Sequence, residues 1–385
     1  MWSSVILWSL GTWSLAATAV YLTTIILPRR RVSECPASER PAVSVVVPVK
    51  GIEAEFETNI NALFGQSYAD FQLLFMVAEP TDPAIAMIEA AIARHPAVDA
   101  RVIVGDCKVS DNPKVNNLVK SEAASLHQLL CMCDSNIAVQ RDMLESMAAM
   151  LRADIGLVSA IPVAVRPGNF VGELECAVNN GFGSRWLVAA SKLGFRVAVG
   201  KIMLLRKADL VRIGGIRAMA AGVCEDSALA AAIGALDLGV VAAAEPAIYP
   251  VGRRRFREFW ERQLRWHCCR RCHHAGAFYL QPLLGSIGAA LAFGLFCHHF
   301  LGPAALPATA TFLVTWLGLE AVFLHRQGWP FSWRSPLAWL VRDLLLPVIW
   351  VQAAATRTLT WRGTRMKVDC RRMGPLHDEQ QGGGA

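Results

Sequence analysis

Apolar positions along this chain fall into short runs and long ones. The short runs, at residues 44–49, 72–77, 101–104 and 128–133, are separated by stretches with helical spacing. Alternation of this kind predicts an α/β domain on a mostly parallel, doubly wound sheet. The long runs are of another kind. Residues 5–27 give 23 uncharged positions and residues 275–319 give 45, enough for one and for two membrane crossings at about 20 residues each. Gly302-Pro303 and Pro307 mark the break in the second run. A last apolar stretch, 336–356, contains Arg342 and Asp343, and charge inside a membrane is costly unless it is paired or displaced toward water.

These runs divide the chain into an anchor (1–31), a catalytic domain (32–274), a transmembrane hairpin (275–324) and an interfacial or re-entrant segment with a basic tail (325–385). No positive charge precedes the first run, and its apolar character continues past Ala17 and Ala19. An uncleaved anchor is therefore expected rather than a signal peptide.

Composition narrows the class. With 54% apolar and 18% charged residues and a mean hydropathy of +0.36, the chain is too apolar for a disordered protein or an ordinary soluble enzyme. Its 38 basic and 31 acidic side chains leave a surplus of seven. The positive charge is gathered at Arg29 to Arg31, in eight arginines within 253–274, and in six basic residues within 357–372. Each cluster abuts an apolar segment, as contact with anionic headgroups requires, and none has the spread of a nucleic-acid groove. The positive-inside rule then places the catalytic domain in the cytoplasm. The excess of arginine over lysine and the abundance of alanine point to a high-GC bacterium, hence to its inner membrane.

Ligands of open α/β sheets bind beyond the carboxyl ends of the strands. Lys50-Gly51, Glu79 to Asp82, Gly105-Asp106 and Asp134-Ser135-Asn136 occupy those positions. Asp134 reads either as a ligand for a hard divalent cation or as the cap of the next helix. Glu225-Asp226 precedes a helix, and Arg262, Arg265 and Trp266 share one helical face. That face suits either a diphosphate clamp with a stacking indole or a basic interfacial helix.

Asp82, Asp134-Ser135-Asn136, Glu225-Asp226 and Arg262-Gln-Leu-Arg265-Trp266, in this order and at these distances, resemble the D1, D2, D3, (Q/R)xxRW signature of the ceramide glucosyltransferases, glycosyltransferase family 21. Pro48-Val-Lys-Gly51, Asp82-Pro-Ala-Ile85, Asn112-Pro-Lys-Val-Asn-Asn117 and Trp361-Arg362 extend the resemblance over about residues 40–370. It implies a GT-A fold and an inverting transfer of glucose from UDP-glucose to the primary hydroxyl of ceramide. By position, Asp82 resembles the reader of uracil and Asp226 the general base. Lys50, Lys114, Asp134, Arg262 and Arg265 resemble nucleotide-sugar contacts, and Trp266, Glu225 and Arg185 acceptor contacts. Asp134 and Asn136 are the expected holders of Mg2+ or Mn2+. The triplet ends in Asn136 rather than a second acid, and Gly183 stands where animal members carry a histidine. Rival readings are transfer of N-acetylglucosamine to a hopanoid and a catalytically silent nucleotide-sugar-binding membrane protein. The partners expected are thus UDP-glucose, ceramide or a similar lipid, and membrane lipid, with no nucleic acid.

The eleven cysteines are expected to stay reduced in a cytoplasmic domain. Cys269, Cys272 and His273 share a helical face, but no compelling second ligand pair completes a structural zinc site. The 267–274 cluster therefore reads as part of an interfacial helix.

Overall fold

A computed structural model describes residues 2–26, 41–220, 224–361, 364–368 and 370. The arginine cluster at 29–31, Arg362 and the basic pair at 371–372 lie outside them. The chain forms two compact units, one comprising 30–162, 193–250 and 357–385, the other 1–29, 163–192 and 251–356. Residues 163–192 and 251–274 belong to the helical unit.

The first unit is built on seven strands. They are β1 (Val43–Val49), β2 (Phe71–Val77), β3 (Asp99–Val104), β4 (Leu129–Cys133), β5 (Ile155–Ser159), β7 (Ile202–Arg206) and β8 (Gly239–Ala242), in the order β3-β2-β1-β4-β7-β5-β8. Between β5 and β7 lies β6 (Pro162–Pro167), which pairs with β9 (Ala247–Gly252) in a separate ribbon, and β10 (Thr358–Trp361) pairs with β11 (Thr364–Lys367) in another. The first four strands of the sheet are mutually parallel, β7 runs against both β4 and β5, and β8 is parallel to β5. The central strands are covered on both faces, so β4 and nearly all of β1 and β2 are buried, as their unbroken apolar sequences require. Val46, Leu74, Met132, Met203, Leu229 and Ile233 belong to the core on one side. Buried Asn117 donates its side-chain amide to Val49 O (3.2 Å) and Met76 O (2.6 Å), tying together the ends of β1 and β2.

Among the described residues, the helical unit contains three stretches long and apolar enough to cross a membrane: Ser4–Ile26, Ser286–Gln327 and Ser335–Ala355. The middle one is a helix pair, Ser286–Leu301 and Ala305–Gln327, broken at Gly302 with φ +55°. It falls where Gly302-Pro303 predicted it. Small residues and aromatics mediate the packing: Ser14 Oγ donates to Ala289 O (3.0 Å), and the Tyr21 and Trp316 rings lie 4.7 Å apart. The segment expected to be interfacial or re-entrant is one continuous helix, Ser335–Ala355. Its charges explain how. Arg342 forks onto Glu320 (Nη1 to Oε1 2.5 Å, Nη2 to Oε2 3.0 Å) and its Nε binds Asp343 Oδ1 at 2.7 Å. Asp343 Oδ2 also accepts from the backbone N–H of Ser286 at 2.7 Å and from its hydroxyl. The charges are thus paired inside the helical unit, without displacement toward water.

Cys224, Cys269, Cys272 and Cys370 are disulfide-bonded, contrary to the expectation of reduced cysteines. Cys131 and Cys133 are free and buried, as strand residues preceding Asp134.

Candidate functional site

β4 delivers Asp134 to the carboxyl edge of the sheet. A tight turn follows, in which Asp134 N donates to Lys201 O (2.9 Å) and Ile137 N to Asp134 O (3.3 Å). Because β7 is antiparallel to β4, the residue just before β7, Lys201, arrives at the same edge. Its Nζ lies 3.0 Å from Asp134 Oδ2 and 3.1 Å from Asn136 Oδ1. The other carboxylate oxygen, Oδ1, is 2.8 Å from Lys114 Nζ.

Lys114 is placed by the helix Pro113–Leu118, whose N-cap Asn112 accepts from the backbone N–H groups of Lys114 and Val115. The same Asn112 donates to Glu225 Oε2 at 3.1 Å. Lys114 Nζ reaches Glu225 Oε1 at 2.9 Å and Gly200 O at 2.7 Å. Gly200 packs closely here, since a Cβ would lie 3.0 Å from Glu225 Oε1 and 3.1 Å from Lys114 Nζ and would press on both side chains. Asp226 completes the cluster, with Oδ2 accepting from Gly200 N (2.8 Å) and Oδ1 from Ser227 N (2.7 Å). Both acids open the helix Glu225–Ala235, whose N-terminal dipole favours negative charge.

The electrostatics separate the three carboxylates. Burial alone would raise Asp134, but Lys114 and Lys201 overcome it and hold the carboxyl at about 2. Burial likewise opposes ionisation of Glu225, and Lys114 overrides it, so its pKa falls. For Asp226, burial and the neighbouring Glu225 charge act together and raise the pKa despite its two backbone donors. Asp226 is the carboxylate of this cluster suited to take a proton.

Farther along the edge, Asp82 Oδ2 accepts from Gly51 N (2.8 Å) and Oδ1 from Ala84 N (2.9 Å), the first of these bonds closing the loop after β1 against Asp82. Gly51, at φ +68°, follows the exposed Lys50. The sheet unit therefore brings together Lys50 with Asp82, and Lys114 with Asp134, Asn136, Glu225 and Asp226.

The remaining expected residues belong to the helical unit. Arg262, Arg265 and Trp266 lie on the helix Phe256–His273, where Arg262 Nε is 3.5 Å from fully buried Glu175, an acid also paired with Arg254. Arg185 follows a π-helical turn, Ala177–Ser184, and is buried with its guanidinium carbon 3.7 Å from the centre of the Tyr21 ring. Its Nε and Nη1 have no hydrogen-bond partner. π-turns occur often at functional sites. The sequence reading missed Lys201 and Gly200. A lysine directly ahead of an apolar run was the available signal for the first.

The profile described as Glycosyl transferase family 21 matches residues 11–373. Ceramide glucosyltransferase 1 of Caenorhabditis elegans is 25% identical over 342 residues, covering 86% of this chain and 73% of the relative. The ceramide glucosyltransferase of Komagataella phaffii is 25% identical over 423 residues, covering 85% and 82%. Among solved structures, the mannosyltransferase PcManGT from Pyrobaculum calidifontis, in complex with GDP-Man and Mn2+, superposes with a TM-score of 0.55 at 16% identity, over 91% of this chain and 97% of that one. The expected GT-A fold with membrane helices is borne out.

Proposed function

From the premise that the chain belongs to glycosyl transferase family 21 and is a membrane glycosyltransferase, we propose that it moves glucose from UDP-glucose to the primary hydroxyl of ceramide with inversion. The observation that supports this reading is the cluster of Asp134, Glu225 and Asp226 gathered around Lys114, Lys201 and Gly200 at the carboxyl edge of the sheet. Asp226 takes the proton of the attacking hydroxyl. Asp82 reads the uracil, and Lys50 and Lys114 meet the diphosphate; Arg262 and Arg265, in the helical unit, are nucleotide-sugar contacts by resemblance to the family signature alone. Inversion by direct displacement needs no protein nucleophile, so a base and a well-neutralised leaving group suffice. Glu225, Trp266 and Arg185 are assigned to the acceptor.

Two oxygens, from Asp134 and Asn136, converge on the Lys201 ammonium at 3.0 and 3.1 Å, so a divalent cation held by them would have to take the place of that ammonium. Mg2+ or Mn2+ would be held there by Asp134, Asn136 and the phosphates, and would neutralise the departing diphosphate.

A panel assay tests the proposal: detergent-solubilised protein is offered several UDP-sugars with ceramide or a hopanoid. Glucosylceramide as the main product supports it; N-acetylglucosaminyl hopanoid would establish the rival, which the absence of a histidine at Gly183 leaves room for. In the same preparation, Asp82→Ala is expected to weaken UDP and UDP-sugar equally, by roughly tenfold or more, because one charged acceptor to the base is lost. Calorimetric titration reads it, and unaltered affinity would remove Asp82 from the uracil pocket.

The proposed topology keeps the sheet unit and the tail on the cytoplasmic face. Support comes from the ribbon β10–β11, which lies in the same compact unit as the sheet, and from the basic residues of 357–372, which favour that face. A reporter fused after Ala385 in a bacterial host is expected to fluoresce as a green fluorescent fusion and to stay inactive as an alkaline phosphatase fusion. Phosphatase activity would reverse the assignment.

A further inference from the structure

Asp134 is the cluster's sole carboxylate at the expected cation position, Asn136 beside it is neutral, and both are held by Lys201, whose side chain is 12% exposed. Affinity for a hard divalent ion rises with the number of charged ligands. Here there is one, already shared with Lys114. A divalent ion entering between Asp134 and Asn136 would meet two ammonium groups at close range, and like charges at a few ångströms in a recessed site repel strongly. It would have to expel Lys201 first. The lysine is well seated: its backbone N–H donates to Val199 O (2.8 Å), its carbonyl accepts from Asp134 N (2.9 Å), and its Nζ is 5.1 Å from the centre of the Tyr249 ring.

We infer that Lys201 is a built-in cation, which competes with divalent metal for Asp134 and Asn136 and supports binding of the nucleoside diphosphate when no metal is present. This rests on the proposed role of Asp134 at the diphosphate. It predicts metal-independent nucleotide binding in the parent and an acquired requirement for metal once the ammonium is gone.

The test compares wild type, Lys201→Met and Lys201→Arg by calorimetric UDP titration, in excess EDTA and in saturating Mn2+, and measures Mn2+ affinity by electron paramagnetic resonance. Wild type is expected to bind UDP in EDTA within about threefold of its affinity with Mn2+. Lys201→Met should lose about tenfold or more in EDTA, the range for loss of a charged hydrogen-bond partner, and recover when Mn2+ is added. Its Mn2+ affinity should rise about fivefold or more as repulsion is removed, whereas Lys201→Arg should stay close to wild type in EDTA. Binding of UDP to wild type only with Mn2+ overturns the inference while leaving the nucleotide reading intact. Identical UDP and Mn2+ binding in wild type and Lys201→Met also overturns it. Failure of wild type to bind UDP under either condition overturns both. The wild-type arm alone decides the matter if Lys201→Met does not fold.

Discussion

Asp226→Asn is expected to lower turnover by about 10²–10⁴, the usual range for loss of a general base, while UDP affinity changes by less than about threefold. The asparagine keeps the shape of the side chain and one oxygen for the backbone donors at Gly200 and Ser227, but it has no basic oxygen for the acceptor proton. The pH profile supplies an independent reading. A base works in its deprotonated form, so activity falls as pH drops through its pKa. Burial and Glu225 raise that pKa, which places the acid limb of the wild-type profile above the ordinary carboxylate value of about 4. In Asp226→Asn the residual rate should lack that limb. Turnover within threefold of wild type, measured beside a UDP titration, would remove Asp226 from the reaction.

Arg342→Met is expected to be the most damaging substitution in the helical unit, costing about 3–5 kcal/mol, as when one partner of a buried ion pair is removed. Glu320 and Asp343 would be left with their charges and without the guanidinium that holds both. Ala177 O would also lose its 3.1 Å donor. The measurable consequences are a lower unfolding temperature in detergent and a smaller yield from membranes. Joint replacement of Glu320 and Arg342 with apolar residues should be less harmful than Arg342→Met alone, because only Asp343, which keeps its bonds to Ser286, is then left without the guanidinium. A drop of less than about 1 kcal/mol in Arg342→Met would show that the carboxylates find other partners.

Local signals carried much of this far. The run at 44–49 grew by one residue to β1, that at 72–77 by one to β2, and that at 128–133 shrank by one to β4, since a strand buried on both faces announces itself as an apolar run. Asp134 and Glu225-Asp226 were identified because they follow a strand or open a helix. Lys201 was missed for the complementary reason: it precedes its strand, and only the antiparallel pairing of β7 with β4 turns that position toward the site. Strand direction is a property of tertiary pairing, not of the five apolar-rich residues of β7. Arg342 was visible as a charge in an apolar stretch, but its partner Glu320 belongs to another helix, 22 residues earlier. Hydropathy prices that charge as though it stood alone and cannot register a partner on another helix.

The reversed direction of β7 has a consequence for divergence. In an all-parallel sheet the residue before a strand sits at the edge opposite the carboxyl ends, remote from any ligand bound there. Here position 201 is attached to a buried strand, Ile202 to Leu205, that pairs with β4 and β5 and bears none of the site's acids, yet its side chain faces the acids at the mouth of the site. A single codon at 201 can therefore reset the local charge without altering a carboxylate, a strand or a loop length. Descendants of such a scaffold could move between habitats rich and poor in magnesium or manganese by one neutral-to-basic exchange, with every residue that touches the sugar left in place.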